Sequence, residues 1–187
     1  MRTLLILGLV VQSIGALSGF IKGATENVEL SAQDSFPVPV GNPDMLFYLQ
    51  RDPNINTIVY ELNLDQEGNL IEKEPIHVFW IRYAEGGERE ELNYMQRKLA
   101  YGVKSRRLDK ENFAIRFNSY SKLDLSLEKS GNGSYHVYTL INQKKAVLER
   151  IFVGIEGGGF LVPNITYVEL SGREIATGKK LVSRFKP

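Results

Sequence analysis

The stretch of sequence that most constrains the fold is residues 76–83, IHVFWIRY, which carries apolar side chains at nearly every position. Successive side chains of an extended chain point to opposite faces, so Val78 and Trp80 lie on one face while Phe79 and Ile81 lie on the other. A strand that is apolar on both faces needs packing partners on both sides. We therefore expect this strand to lie in the interior of a sheet rather than at its edge.

A helix is predicted shortly after this strand, over residues 88–101. Acidic residues occupy its first turn and basic residues its last turn, which matches the helix dipole at both ends. Leu92, Met95 and Leu99 recur at helical spacing and form one apolar stripe, and Gly102 follows at a position typical of a helix end. The pattern predicts an amphipathic helix whose stripe packs on the sheet or fills the inside of a barrel.

The rest of the chain consists of short alternating segments separated by turn signals. Residues 113–117 and 123–127 alternate apolar and polar side chains, and Gly131-Asn132-Gly133 is a strong turn signal. About ten short strands with one helix favour a mainly β fold, either an antiparallel barrel-like sheet or a sandwich. The barrel-like sheet is preferred, because long apolar strands at 75–83 and 146–155 leave little room for unpaired edges.

The N-terminus predicts export. Residues 1–19 combine a basic residue, a short apolar run and a zone of small residues, which is the pattern of a signal peptide. The apolar run is well below the roughly 20 residues that a membrane-spanning helix needs, so we expect no transmembrane segment after signal removal. Residues 20–35 are polar and aperiodic and predict a flexible linker, and residues 36–187 then form a single β-rich domain. We expect a periplasmic or secreted bacterial protein.

The segment at residues 36–43, FPVPVGNP, holds two prolines in an extended stretch and ends in an Asn-Pro turn signal. Proline favours extended backbone at its own position and at the one before it. We expect this segment to pack across the outside of the domain, and a proline-rich ligand for another protein is the alternative.

Composition narrows the classes of function. The chain has no cysteine, which removes disulfides, thiol catalysis and thiolate metal sites, and its two histidines, His77 and His136, show no paired spacing. We predict no metal and no cofactor, although one histidine with carboxylates stays open as a metal site. The 23 basic and 22 acidic residues give a net charge of +1, which argues against a nucleic-acid partner because such binders carry a strongly basic face.

An arginine inside an apolar run is the most informative candidate for a binding site. Arg82 in FWIRY must either emerge at the end of its strand or be paired. Several arginines that converge with aromatic residues in a cavity would suit an anionic or sugar-like ligand. Salt bridges at the ends of the sheet are the alternative. The candidate ligand-binding residues are His77, Trp80, Arg82, Tyr83, Arg116 and Arg150.

No catalytic residues are predicted, because no local motif supports the assemblies that the residue types allow. A nucleophile, a base and an acid could come from one set of residues, and a carboxylate pair for glycoside cleavage from another. The first set is Ser119, Ser121, His77, His136 and Asp124, and the second is Glu61, Glu85, Glu149 and Glu156. A solvated face explains a further basic cluster unless a polyanion binds there; its members are Lys98, Lys104, Arg106 and Arg107.

Three segments of the chain resemble a family of small exported bacterial proteins, seen chiefly in Bacteroidetes and known only as a domain of unknown function. They are FPVPVGNPDMLFYLQRDPNINTIVYELN at 36–63, PIHVFWIRYAEGGEREELNYMQRKLAYG at 75–102, and VPNITYVELSGREIATGKKLVSRFKP at 162–187. The resemblance covers nearly all of residues 36–187. It agrees with export and brings no activity, ligand or catalytic residue with it.

Three functions are compatible with the sequence. The preferred hypothesis is a non-enzymatic, barrel-like binding domain of the bacterial envelope that holds an unknown small ligand or an envelope protein. One alternative is a structural or assembly protein with residues 36–43 or 88–101 as its contact surface. The other is a periplasmic hydrolase acting on sugars or peptidoglycan through His77 or a carboxylate pair. The lack of catalytic spacing favours binding, and enzymatic activity stays open.

Overall fold

The structure is a computed structural model that describes residues 36–158 and 163–187. The signal peptide predicted at 1–19 and the linker predicted at 20–35 lie outside the described residues. The described residues form eleven strands and one short α-helix, so the predicted mainly β fold is confirmed. The strands are β1 Met45–Arg51, β2 Asn54–Leu62, β3 Ile76–Arg82, β4 Glu88–Glu91, β5 Val103–Arg107, β6 Phe113–Phe117, β7 Leu125–Lys129, β8 Tyr135–Ile141, β9 Lys144–Gly158, β10 Pro163–Glu174 and β11 Lys180–Phe185.

All eleven strands belong to one curled sheet in which most neighbouring pairs are antiparallel. The order along the sheet is β4-β3-β2-β1-β9-β8-β7-β6-β5, and β10 pairs with β9 and β11. The pair of β1 and β9 is parallel, which makes the sheet mixed. The curl gives a half-barrel, so the barrel-like alternative describes the molecule better than a closed sandwich.

The long strand β9 holds the sheet together because it pairs with three neighbours. Its residues 144–147 pair with β8, its residues 150–153 pair with β1, and β10 pairs with it across both stretches. Since β10 occupies one edge of β9 throughout, β8 and β1 take successive parts of the other edge. Two groups of strands diverge from this point: we call β1–β4 the first wing, β5–β8 the second wing, and β9–β11 the central ribbon.

The main core lies between the inner faces of the two wings. In the first wing, Phe47 stacks on Tyr60 with ring centroids 4.3 Å apart. Phe117 of the second wing contacts both rings edge on, at 6.3 Å from Phe47 and 5.6 Å from Tyr60. Each large apolar side chain buried in this way stabilises the fold by about 1.5–3 kcal/mol. These contacts fix the curl, because they join strands that are far apart along the sheet.

Strand β3 is an interior strand that is packed on both faces, as its sequence predicts. It pairs with β2 on one side and β4 on the other. Trp80 on the inner face is 2% exposed, and Phe79 on the outer face is 3% exposed. The outer face of the first wing is therefore a second packed surface rather than a solvated one.

The segment before β1 packs across the outside of the sheet, as expected. Phe36 is buried and contacts the Phe152 ring edge on, with centroids 5.3 Å apart. The buried Gln50 side chain donates from Nε2 to the carbonyl oxygen of Pro37 at 2.8 Å. Val38 and Val40, which follow these two contacts in the chain, are exposed.

The helix predicted at 88–101 begins later than expected. Glu88–Glu91 form β4, which pairs with β3, and α1 spans only Tyr94–Gln96 before a π-helical turn at Arg97–Tyr101. The sequence pattern failed because β4 covers an edge of β3 that would otherwise leave backbone groups unpaired. The true start is a capping box in which Asn93 and Gln96 bond each other's backbone N–H groups, at 2.9 Å each.

The predicted apolar stripe of this helix is split between core and solvent. Leu92 is buried in the core, but Met95 and Leu99 are 57% and 56% exposed. Gly102 ends the turn in an extended conformation, not in a left-handed cap. It is required there because a Cβ atom would lie 2.0 Å from the carbonyl oxygen of Arg97. Among the described residues no helix has the length and apolar character needed to cross a bilayer.

Candidate functional site

A groove of about 770 Å³ crosses the outer face of the second wing. Cross-strand register places Arg106, Ala114, Ser126 and Tyr138 in one row across β5, β6, β7 and β8. The small side chains of Ala114 and Ser126 in the middle of this row leave room between the larger ones at its ends. The volume is in the range of roughly 300–1,000 Å³ that is common for small-molecule sites.

The rim of the groove carries more basic side chains than there are acidic side chains paired with them. Arg116 pairs with Asp124 at 3.1 Å, and Lys145 pairs with Glu128 at 2.7 Å. Lys104 and Arg106 also line the groove, and neither has an ion pair within the described part of the chain. Two unpaired cations at one end of a cavity attract negatively charged groups.

The walls of the groove are mostly apolar. Leu108 and Leu140 on its rim are 50% and 65% exposed, which is unusual for large aliphatic side chains next to a cavity. Tyr138 lies deeper and its ring is covered by Lys145, whose Nζ is 4.7 Å from the ring centroid. Burial raises the pKa of Tyr138 and Glu128 raises it further, so this side chain stays a neutral phenol.

The carboxylate of Glu128 lies beside the groove and binds two of the side chains that line it, Ser126 and Lys145. Burial would raise its pKa, but hydrogen bonds from Lys145 and Ser126 outweigh burial and hold the pKa below its usual range. Ser126 Oγ donates to Glu128 at 2.6 Å. No histidine lines the described groove, so its serines have no imidazole base within it. The groove is suited to binding an anionic group beside an apolar surface.

Among the predicted site residues, Arg116 lines the groove and His77 belongs to a separate network on the outer face of the first wing. The His77 ring contacts Glu61 through Nδ1 at 2.9 Å and Glu91 through Nε2 at 2.8 Å. Arg89 donates to Glu61 at 2.7 Å, and its guanidinium lies 3.6 Å from the centroid of the Phe79 ring. Arg89 Nη2 also lies 3.0 Å from His77 Nδ1, so both ring nitrogens contact charged side chains of this network. The imidazole is therefore held within the network.

Glu61 is the centre of this network. Burial would raise its pKa, but hydrogen bonds from His77, Asn42 and Arg89 together hold the pKa below its usual range. Asn42 contributes its bond at 2.7 Å from the segment that precedes β1. The network therefore ties three parts of the first wing together.

Two predicted residues lie at the end of β3. Arg82 pairs there with Glu85 and with Glu90, the latter at 3.4 Å, which is the salt-bridge alternative considered for it. Tyr83 begins a single 3-10 turn directly after the strand, and burial raises the pKa of its hydroxyl. Both side chains belong to the first wing and do not line the groove.

The remaining two predicted residues lie on opposite faces of the sheet. Trp80 is part of the core, and its ring contacts Tyr101 edge on at 5.1 Å. Arg150 of β9 donates from Nε to Gln50 at 2.8 Å and lies 4.9 Å from the centroid of the Phe152 ring on the outer face. The structure thus brings none of the other five predicted residues to Arg116, and the arginines do not converge with Trp80 or Tyr83.

The residues considered for hydrolysis are also dispersed. Ser119 donates to the carbonyl oxygen of Ala100 at 2.6 Å, Asp124 pairs with Arg116, and His136 packs edge on against Tyr138 at 6.2 Å. In the described part of the chain no hydrogen bond joins a serine to a histidine. Of the four candidate glutamates, Glu61 binds His77, Glu85 binds Arg82 and Glu149 binds Arg173 at 2.7 Å.

The described residues contain no cluster of metal ligands. No group of three or more histidine, aspartate or glutamate side chains there has the geometry to hold an ion. A second cavity of about 660 Å³ lies between the start of β1 and strands β6 and β8, and His136 lines it. Its wall mixes acidic and basic side chains, among them Asp44, Glu72 and Lys110, and so presents no single charge.

Sequence reasoning missed the groove although the signal was present. In the sequence, Lys104 and Arg106 lie close to Lys98 and Arg107, and this spacing favours one solvated cluster. Strand alternation separates them, because Lys104 and Arg106 point outward beside Arg116 and Ala114, whereas Arg107 binds Glu72 at the other side. Two outward cations opposite a small residue, all on neighbouring strands, would have marked this face.

Comparison with known proteins gives a family but no activity. No curated protein and no solved structure matches this chain. A family model described as a domain of unknown function, DUF4833, matches residues 47–184, which include all of the groove and both wings apart from the first residues of β1. The chain belongs to this family of unknown function.

Proposed function

We propose that this protein is an exported, non-enzymatic binding domain of the bacterial envelope whose groove on the second wing takes an anionic amphiphile. By anionic amphiphile we mean a small molecule with a negatively charged head and an apolar body. The observation that carries the proposal is that two cations beside an apolar groove, Lys104 and Arg106, have no ion pair with any described residue. Export is supported by the signal-like pattern of residues 1–19.

The basic side chains on the rim of the groove indicate that the head of the ligand is negatively charged. Lys104 and Arg106 lie on the outward side of the edge strand β5 and are exposed. A carboxylate or phosphate oxygen that reaches them would form charge-assisted hydrogen bonds, which are stronger than neutral ones. A cationic head would be repelled there, and a neutral head would gain only weaker hydrogen bonds.

The aliphatic side chains that line the groove indicate that the body of the ligand is apolar. Leu108, Ala114 and Leu140 present aliphatic surface along the groove, and exposed aliphatic surface is stabilised when a ligand removes it from water. Hydrogen-bonding groups for a sugar are fewer, since Ser126 is bonded to Glu128 and the face of Tyr138 is covered by Lys145. This arrangement favours an aliphatic ligand over a saccharide.

Calorimetric titration of the purified domain with sodium decanoate, below its critical micelle concentration, tests the proposal. We expect saturable binding of one decanoate per chain. Decyltrimethylammonium, which has the same tail and the opposite charge, should not bind. Prior addition of acetate should leave the decanoate titration unchanged, because acetate lacks the tail that the groove requires. Replacing Lys104 and Arg106 together by alanine should weaken decanoate binding by about tenfold, since each exposed charge pair contributes up to about 1 kcal/mol.

The matched control is the double variant Lys179→Ala/Lys180→Ala, which removes two exposed cations of the central ribbon. It should bind decanoate like the wild type. Equal affinity for decanoate and decyltrimethylammonium, or equal loss in both double variants, would contradict a specific anionic site. Vesicles of anionic lipid serve as a further arm, because binding to vesicles without binding to free decanoate would replace a free ligand by a membrane surface.

A structural or assembly role is the second candidate, and one observation favours it. Tyr94 and Met95 on the short helix and Leu99 on the π-helical turn after it are 70%, 57% and 56% exposed and give this segment apolar surface outside the core. Native mass spectrometry of the protein taken from its own host's envelope separates the two roles. A small stoichiometric adduct supports the binding role, whereas the mass of a second protein supports assembly.

A further inference from the structure

Arg51, the last residue of β1, lies between two aromatic rings, and no acidic side chain of the described residues pairs with it. The Arg51 guanidinium carbon is 5.4 Å from the centroid of the Trp80 ring and 5.4 Å from that of the Tyr101 ring. Arg51 is half-buried and forms no salt bridge with any described carboxylate. Glu90, which is opposite Trp80 in the register of β3 and β4, is engaged by Arg82 at 3.4 Å.

Two hydrogen-bond donors at this place have no acceptor. Arg51 Nε and Trp80 Nε1 are both buried, and neither has a hydrogen-bond partner in the part of the chain that the structure describes. Trp80 is 2% exposed, so solvent does not satisfy its N–H group. A buried donor without an acceptor destabilises the fold, and such groups are rare in native proteins. The missing partner must be an acceptor, since both orphan groups only donate.

We infer that Arg51, Trp80 and Tyr101 form a second binding site, which takes a small monovalent carboxylate such as formate or acetate. One negative charge balances the one charge of Arg51, whereas a phosphate dianion would leave an excess charge in a half-buried place. The two oxygens of a carboxylate can each accept one of the two orphan donors. The Tyr101 main chain, held by the Tyr60 hydroxyl at 2.9 Å, fixes the second ring.

This site is separate from the groove of the proposed function. Its residues belong to β1, β3 and the turn before β5, and none of them lines the groove. Trp80 is the only tryptophan of the chain, so the intrinsic tryptophan fluorescence reports on this site alone. That makes a direct titration possible with the whole wild-type protein.

The test is a titration of sodium formate and sodium acetate, followed by Trp80 emission, at constant ionic strength in a buffer with a bulky sulfonate anion. We expect a saturable change with a dissociation constant of about a millimolar, as suits a ligand of three or four heavy atoms. Neutral acetamide, which has the shape of acetate, and sodium chloride should give no saturable change. The variant Arg51→Met should lose the response by about tenfold or more in affinity, and Arg51→Lys should weaken it less.

The opposite results overturn the site. If formate gives no saturable change in the wild type, the acceptor is an internal water and the site is not an anion site. If acetamide or chloride matches acetate, the carboxylate assignment fails even when both Arg51 variants do not fold. The variant Lys104→Ala/Arg106→Ala should keep the formate response, so loss of decanoate binding at the groove and loss of this site are distinguishable.

Discussion

The outer faces of the two wings have similar residue types and opposite organisation. On the first wing the outer side chains bury one another, and Thr57, Val59 and Phe79 are 0%, 0% and 3% exposed. On the second wing the corresponding rows leave a groove of about 770 Å³ with exposed leucines on its rim. The side chains of the first face cover one another, whereas the groove on the second face leaves room for a ligand.

The arginines show the difference most directly. On the outer face of the first wing and ribbon, Arg89, Arg150 and Arg184 lie over aromatic rings at 3.6, 4.9 and 4.1 Å. On the second wing Arg106 has no aromatic or acidic partner among the described residues. A charged side chain with all its partners supplied by the fold is structural. One whose partners are missing is available for a ligand, and the sequence alone does not distinguish the two.

The largest expected effect concerns how tightly the two outer faces are packed. A truncation on the first wing should lower the free energy of unfolding far more than one on the second wing. Phe79→Ala removes a buried ring under Arg89 and should lower the free energy of unfolding by about 3–5 kcal/mol. Leu140→Ala on the second wing removes an exposed side chain and should change it by no more than about 0.5 kcal/mol. Urea unfolding of both variants, followed by circular dichroism, measures the two values.

A Leu140→Ala variant that loses as much stability as Phe79→Ala would contradict the comparison. It would mean that the second wing's outer face is a packed surface like the first. A decanoate titration of the same Leu140→Ala variant adds a second readout, since loss of this apolar rim should weaken binding without unfolding the domain.

The fold could be predicted where the sequence alternates and could not where two elements compete for the same residues. Residues 76–83 predicted an interior strand correctly, because a strand that is apolar on both faces has only one stable placement. Residues 88–91 have the charge pattern of a first helical turn. They form β4 instead, because their backbone pairs with the edge of β3. That competition depends on tertiary pairing, which local spacing does not contain.

The candidate site was harder to predict because it depends on what surrounds each charge. Arg82 and Arg116 carry the same side chain on strands of the same kind. The structure gives Arg82 two glutamate partners at a strand end and places Arg116 on a groove with one exposed aspartate. The Arg51 site left no mark in the sequence, since its three residues come from segments 29 and 21 positions apart.

An intermediate effect concerns pH and the network of the first wing. The pKa of Glu61 is held below its ordinary value of 4.5 in the fold, so its contribution to stability is complete above that pH and is lost as pH falls below it. Glu61→Gln should therefore reduce the free energy of unfolding by about 1–2 kcal/mol at neutral pH. The difference from the wild type should shrink as pH falls from about 4.5 towards roughly 3.

Glu128→Gln on the second wing is the matched control for this measurement. Its pKa is also lowered, but among the described residues only the side chains of Lys145 and Ser126 donate to it, and its side chain is more exposed than that of Glu61. We expect a smaller loss, about 0.5–1 kcal/mol, with the same dependence on pH. A pH-independent difference for Glu61→Gln would show that the carboxylate charge is not what stabilises the first wing.

The smallest effect is also the sharpest test of the comparison, because it uses the same substitution on both wings. Arg89→Met removes a guanidinium that lies over Phe79 and binds Glu61, and should lower the free energy of unfolding by about 1 kcal/mol. Arg106→Met removes an unpaired cation and should leave stability within about 0.5 kcal/mol of the wild type. Decanoate affinity should respond in reverse, falling for Arg106→Met and not for Arg89→Met. Equal effects of the two substitutions on both readouts would show that the wings do not divide stability and binding between them.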